Sequence, residues 1–187
     1  MANFVTTLGV LADTHIPDRV AELQPQVIQR FREAGVVGIL HAGDVSVPRV
    51  IKELEQVAPV YAVRGNRDIF YLRNLPMQIQ LTFNGISIGM AHGHGTLSRY
   101  VIDKLHLSIY GRVVERYFKR MLQTFPSEDV IVFGHLHMPF NLHLGGKLLF
   151  NPGSTSSPWP KDAPATFGLL HMENSKEPQG EIIEISR

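Results

Sequence analysis

Five short apolar runs in this sequence each end in a cluster of aspartate, asparagine, histidine and glycine, and that recurrence limits the fold more than any other feature. Residues 5–12 (VTTLGVLA) lead to Asp13-Thr14-His15, and residues 36–40 (VVGIL) lead to His41-Ala42-Gly43-Asp44. Residues 59–63 (PVYAV) lead to Gly65-Asn66-Arg67-Asp68. The runs at 86–90 and 130–133 lead to His92-Gly93-His94 and to Gly134-His135-Leu136-His137. Runs this short and this rich in Val, Ile and Leu read as buried strands. Amphipathic stretches separate the first three. Leu23, Val27, Ile28 and Phe31 fall at helical spacing within 22–34, stopped by Gly35, and Val50, Ile51 and Leu54 do so within 48–57, opened by Pro48. The order βαβαβ implies a parallel sheet with right-handed crossovers. Ligands of open α/β sheets bind outside the carboxyl ends of the strands. The five runs are therefore expected to deliver their polar residues to one edge of one sheet.

The second half of the chain changes character. Asn84-Gly85 between apolar runs at 79–83 and 86–90 is a strong hairpin signal, and Gly145-Gly146 between 140–144 and 147–150 is another. Residues 97–125 read as a long helical stretch with Leu97, Val101, Leu105, Ile109, Val113, Val114, Tyr117 and Met121 inward and Gly111 as a break. Tail strands are expected at 167–172 and 182–185. Repeats and linkers are absent, so residues 1–187 read as a single α/β domain.

Composition narrows the chemistry. The chain has no cysteine, which removes disulfides, thiolate metal sites and cysteine nucleophiles. Lys plus Arg is 18 against 17 for Asp plus Glu, a balance that argues against a dedicated nucleic-acid surface. No apolar stretch is long enough for a membrane span, and Asp13 and His15 sit where a signal peptide would need apolar or small residues. A soluble, cytoplasmic protein is the expectation.

Two carboxylates (Asp13, Asp44), one amide (Asn66) and four imidazoles (His15, His92, His135, His137) make a mixed oxygen and nitrogen donor set. Such a set suits first-row divalent cations, and manganese leads the expectation, with iron, nickel, cobalt or zinc as alternatives. The set is too large for one such ion and sufficient for two if a carboxylate bridges. Gly43, Gly65 and Gly134 stand where the backbone must turn or approach closely.

The ordered pieces D-x-H, G-D, G-N, H-G-H and G-H-x-H resemble the calcineurin-like metallophosphoesterase superfamily, and Asn151-Pro152-Gly153-Ser154 is similar to the turn of its small YfcE/Vps29-type branch. The resemblance implies a four-layer α/β/β/α sandwich, two mixed sheets flanked by helices, with two divalent metal ions at its rim. By position, one ion would take Asp13, His15, Asp44 and His137, and the other Asp44, Asn66, His92 and His135. The implied nucleophile is a hydroxide held between the ions, attacking a small phosphate ester, most readily a diester. Asn66, Arg67, Asp68 and His94 are the candidate catalytic residues.

The chain departs from the family pattern at Arg67, where many members have a histidine that can protonate the leaving group. A guanidinium is a poor acid but grips phosphate bidentately. Arg67 is expected to steady substrate, with Asp68 orienting it and His94 touching metal or phosphate. A second departure is the span from His94 to Gly134, whose helical excursion at 97–125 is read as a cap, a homo-oligomer face, or simply an amphipathic cover for the sheet. Plainer readings compete. Asp13 or Asp44 alone would suit a helix N-cap. His41 suits a satisfied, partly buried role behind the metal ligands, while His106, His143 and His171 match nothing. Asn151 to Ser154 is a turn by composition, and Trp159, between two prolines, reads as a surface loop anchor rather than as part of the site mouth. Two functional alternatives to the enzyme remain: a non-catalytic, metal-binding scaffold of the Vps29 type, and a domain with purely structural metal.

Overall fold

The structure, a computed structural model, describes residues 5–95, 114–174 and 176–186. Strands β1 (Val5–Leu11), β2 (Gly38–His41) and β3 (Val60–Ala62) alternate with helices α1 (Pro25–Glu33) and α2 (Pro48–Leu54). Then follow β4 (Gln78–Phe83), β5 (Ile86–Ala91), helix α3 (Val114–Thr124), β6 (Val130–Phe133), β7 (Pro139–Leu144), β8 (Lys147–Pro152), β9 (Thr166–Glu173) and β10 (Gln179–Glu184). They form two five-stranded mixed sheets, ordered β10-β9-β1-β2-β3 and β4-β5-β6-β8-β7.

Three apolar clusters define four layers. Leu8, Val10, Leu40, Ile88, Met90, Val132 and Phe150 fill the space between the sheets. Leu11, Ile39 and Leu169 face outward from the first sheet against Val27 and Phe31 of α1 and Val50 and Leu54 of α2. Ile131, Phe133 and Leu149 face outward from the second sheet against Met121 and the following Phe125. Alternate residues of one strand thus serve different interfaces, as the two-residue period of a strand requires. The edge strand β4 shows it plainly: Ile79, Leu81 and Phe83 pack inward while Gln78, Gln80 and Thr82 face water.

The expected parallel core is present: β1 pairs with β2, and β2 with β3, in parallel register. Each crossover helix starts with proline and has no side-chain cap. Helix α1 begins at Pro25 rather than at 22, because Gln24 is still extended. Leu23 is nevertheless buried against the same cluster. Gly35, at φ 58°, ends the helix, and the Gly35 and Val36 N–H groups close back on Arg32 and Phe31.

One expectation is corrected. The five runs do not share one sheet: β1, β2 and β3 lie in the first sheet, β5 and β6 in the second. Each sheet has an apolar inner face that only the other can cover. Stacking brings both sets of carboxyl ends to a common rim, where the Gly134 N–H bonds the His92 carbonyl and the Asp13 N–H bonds the Gly43 carbonyl. Of the long helical stretch, α3 is its C-terminal part; Leu97, Val101, Leu105, Ile109, Gly111 and Val113 lie outside the described residues, as does His106.

Phe150 occupies the centre of the inter-sheet layer, fully buried. A Cβ on Gly168 or on Gly180 would come within 2.5 Å of its ring, so both glycines make room for it. Phe150→Ala is expected to lower the unfolding free energy by about 3–5 kcal/mol in urea titrations. A change under about 1 kcal/mol would contradict tight packing between the sheets.

Candidate metal centre

The rim gathers side chains from both sheets around two buried carboxylates. Asp13 follows β1, Asp44 follows β2, and each is almost inaccessible to solvent. Neither is a helix cap, since α1 starts at Pro25 and α2 at Pro48. Asp13 Oδ1 lies 3.4 Å from His137 Nε2, 3.8 Å from His15 Nε2 and 3.9 Å from His92 Nε2. Asp44 Oδ2 lies 3.7 Å from His15 Nε2 and 3.6 Å from His92 Nε2. Two donor groups that could hold a cation result, Asp13 with His15 and His137, and Asp13 with Asp44 and His92, each with its atoms within 4.8 Å of one another. Asn66 Oδ1 stands 3.1 Å from both His92 Nε2 and His135 Nδ1, which brings those residues to the same place. His94 lies alongside, its ring centroid 5.2 Å from that of His92, buried and with Nδ1 lacking a hydrogen-bond partner among the described residues.

The backbone is bent to achieve this. Asp13, His15, Asp44, His135 and His137 all have φ between 46° and 70°. The left-handed region costs an L-residue roughly 1 kcal/mol or more, somewhat less for Asp and His than for branched residues. Gly65 meets a different demand: a Cβ there would collide with the carboxylate and N–H of Asp44.

Backbone carbonyls fix the histidine tautomers. His92 Nδ1 donates to the Ala42 carbonyl at 2.7 Å, and His137 Nδ1 donates to the Ser157 carbonyl at 2.5 Å. A neutral ring held this way turns a lone pair from Nε2 toward the cluster. At His92 that lone pair faces Asn66 Oδ1, also an acceptor, and at His137 it faces His15 Nε2 at 3.1 Å. Asp13 Oδ1 is buried and has no hydrogen-bond donor. Acceptors converging on acceptors around buried carboxylates form an arrangement that a cation, or protons, between them would satisfy. The donor chemistry therefore fits divalent metal.

Protonation follows the same logic. Burial would raise Asp13, but His137, His92 and His15 pull its carboxyl well below the usual range. Burial pushes Asp44 up to about 6, against the pull of His92. Burial lowers His15 to about 4 and holds His135 well below its ordinary value, keeping both rings in the neutral form that ligates. His94 is lowered to about 4, again chiefly by burial. Burial also works to lower His92 and His137, yet the neighbouring carboxylates raise both, Asp44 foremost at His92 and Asp13 at His137.

Several supporting residues escape a reading by motif. Asp68 is fully buried and accepts the backbone N–H groups of Asp44 (2.9 Å), Gly65 (2.7 Å) and Ser46 (2.7 Å). It clamps the two loops together; the hydrogen bonds of its carboxylate run to backbone, not to the Arg67 guanidinium. The Arg67 side chain is exposed, while the Arg67 backbone N–H donates to Asp44 Oδ1 at 2.7 Å. Asn151 donates to the Gly134 carbonyl (3.1 Å) and Ser154 Oγ to the Asp13 carbonyl (2.7 Å), so the 151–154 turn braces the loops that carry Asp13 and His135. His41 is fully rather than partly buried; Nε2 meets Thr14 Oγ1 at 3.2 Å while Nδ1 has no partner. Trp159 is 46% exposed and its N–H bonds the His137 carbonyl, an anchor at the site rim. On the opposite flank α3 sets the Tyr117 ring 5.7 Å from that of His135, and Arg120 donates to the Gly93 carbonyl. His171 bonds Thr7 and Glu181, and His143 lies on the surface away from the rim.

The model of the calcineurin-like phosphoesterase superfamily domain matches residues 7–175. The chain belongs to that superfamily. A probable metallophosphoesterase of Methanothermobacter thermautotrophicus is 35% identical over 151 residues, 81% of this chain and 78% of the relative. Phosphodiesterase YfcE of Escherichia coli K12 is 27% identical, covering 78% of each chain. Among solved structures, Vps29 of Entamoeba histolytica in complex with zinc superposes with a TM-score of 0.71 at 20% identity, over 96% of this chain and 99% of the other. That last likeness shows the shared fold. No helix among the described residues is long and apolar enough to cross a membrane.

Metal uptake is expected to expel protons, because His92 and His137 have raised pKa values without metal and ligate only when deprotonated. Protons compete below those pKa values, so affinity should fall as pH drops and proton release should fade as pH rises above them. Titration calorimetry of manganese into metal-stripped protein, in buffers of unlike ionisation enthalpy, is expected to show release of about one proton or more at pH 6.5. Zero release at that pH would contradict this electrostatic picture.

Proposed function

We propose that this protein is a dinuclear metal-dependent phosphoesterase acting on phosphodiesters. The observation that carries the reading is the pair of buried carboxylate oxygens, Asp13 Oδ1 and Asp44 Oδ2, within 4 Å of imidazoles supplied by both sheets. Asp13, His15, Asp44 and His137 would hold one cation, and Asp44, Asn66, His92 and His135 the other, with Asp44 shared. Asp44 Oδ2 is placed for sharing, 3.7 Å from His15 Nε2 and 3.6 Å from His92 Nε2, and Asp13 Oδ1 stands beside it at 3.8 and 3.9 Å from the same atoms. Manganese is the proposed occupant, and the mixed donor set also suits iron, nickel, cobalt and zinc. When bound, such a pair lowers the pKa of water to near neutrality and neutralises charge on a phosphoryl group.

The chain's own residues do the rest. Asp68, through three backbone N–H groups, holds the Asp44 and Gly65 loops in register, which makes it a positioning residue. Arg67 projects into solvent beside the cluster, where its fork can grip two phosphoryl oxygens. His94, kept neutral mainly by burial, offers a ring N–H to a further oxygen. Neither supplies a strong acid to the departing oxygen: Arg67 stays charged at any working pH, and His94 carries no spare proton near neutrality.

Metal-stripped protein is expected to be inactive on bis(p-nitrophenyl) phosphate and to recover with manganese, while Asp44→Ala lowers kcat/KM by at least about 10³-fold. Activity without added metal, or retained in Asp44→Ala, would overturn the mechanism. Because no acid assists the leaving oxygen, alkyl esters should be far poorer substrates than nitrophenyl esters. Matching rates on the two would remove the assigned role of Arg67.

A further inference from the structure

The turn that carries Asn66 and Arg67 continues into Ile69, Phe70 and Tyr71, which are 55%, 79% and 72% exposed. Single exposed apolar side chains are ordinary, but three in succession beside a functional rim are not. The turn is firmly built. Asp68 is buried beneath it, Leu72 is buried in the outer core, and the Leu72 N–H bonds the Asp68 carbonyl at 3.2 Å. Arg64 ties the two ends: its N–H bonds the Pro76 carbonyl at 2.7 Å, Nη1 bonds the Arg73 carbonyl at 2.8 Å, and Nη2 lies 3.0 Å from Met77 Sδ. The frame therefore holds the aromatic rings out in water without using them for packing.

Charge around the rings has one sign. Residues 64–73 contain Arg64, Arg67 and Arg73, and the single acid among them, Asp68, is buried on backbone N–H groups. The Arg67 backbone N–H donates to Asp44 Oδ1 at 2.7 Å, which fixes the start of this turn against the donor cluster. An anion with a flat apolar face matches such a surface: phosphate meets arginine, and a base meets an aromatic ring. A symmetric contact with a second copy fits less well, since it would set arginines against arginines.

We propose that the 66–73 turn is a nucleobase platform, and that the substrate is a phosphodiester bearing a nucleoside whose base stacks on Phe70 or Tyr71 while Arg67 holds the phosphate. The proposal rests on the phosphoesterase reading and names its substrate class. Water oxygen bonds to phosphorus, one ester P–O bond breaks, and the departing oxygen takes up a proton from water, leaving a nucleoside monophosphate and an alcohol. The overall charge of +1 suits a short ligand or a strand end rather than a long nucleic-acid track.

The test compares manganese-loaded protein on thymidine 5′-(p-nitrophenyl phosphate) and on methyl p-nitrophenyl phosphate, which share a leaving group and differ in the retained ester. The native protein is expected to favour the nucleotide by about tenfold or more in kcat/KM. The double variant Phe70→Ala, Tyr71→Ala is expected to lose that preference and keep its rate on the methyl ester, and Phe70→Trp, which retains a stacking face, to keep the preference. Equal kcat/KM for the two esters in the native protein, or an undiminished ratio in the double variant, would overturn the platform and leave the phosphoesterase reading intact. Sedimentation showing a dimer that the double variant dissolves would assign the rings to a second copy and overturn it too. Hydrolysis of neither ester would remove both readings together.

Discussion

Two carboxylates buried side by side in a water-poor rim set the terms for the rest of this structure. Removing such charges from water costs several kcal/mol each, and they repel one another, so Asp13 and Asp44 are tolerable only with positive charge close by. Without metal, the carboxylates raise the proton affinity of His92 and His137, Asp44 foremost at His92 and Asp13 at His137, which works toward the same compensation. Both rings are pinned by backbone carbonyls with Nε2 toward the cluster, so the positive charge, proton or cation, is directed to one place.

The surrounding backbone serves that arrangement at a cost in local stability. Left-handed conformations at five of the clustered residues, and a buried His41 Nδ1 that finds no partner among the described residues, are each unfavourable. They persist because packing beneath them is dense and because Asp68, Asn151 and Ser154 tie the loops to one another. Drawing the cluster from two sheets rather than one makes it depend on the inter-sheet core, since His92 and His135 keep their distance from Asp13 only while the sheets remain stacked. The His135 N–H to Asp13 Oδ2 bond, at 2.8 Å, is a direct link across that boundary, beside those from His92 Nδ1 to the Ala42 carbonyl and from Ser154 Oγ to the Asp13 carbonyl.

The chain's sequence made the strands and the donor residues legible because both are local signals. β-Branched runs of fixed length and Asp, His or Asn just beyond them need no tertiary information. The pairing of the runs into two sheets was not legible in their periodicity, since an apolar inner face looks the same whether it meets a helix or another sheet; the two mixed sheets found are those that the family resemblance implied. The start of α1 was misplaced because Leu23 keeps the helical period while lying outside the helix. Asp68 looked like a partner for Arg67 because they are adjacent, whereas its oxygens reach back to Asp44 and Ser46, more than twenty residues away. The brace from Ser154 to Asp13 spans a far larger separation, and with Asn151 it left only a turn-like composition in the sequence.

The most direct test of the account is anomalous diffraction from crystals grown with manganese, measured above and below the metal's absorption edge. Two peaks roughly 3.5–4 Å apart, with the Asp44 carboxylate between them and His15 and His92 on opposite sides, are the predicted result. A single peak, or a pair that does not share Asp44, would contradict it.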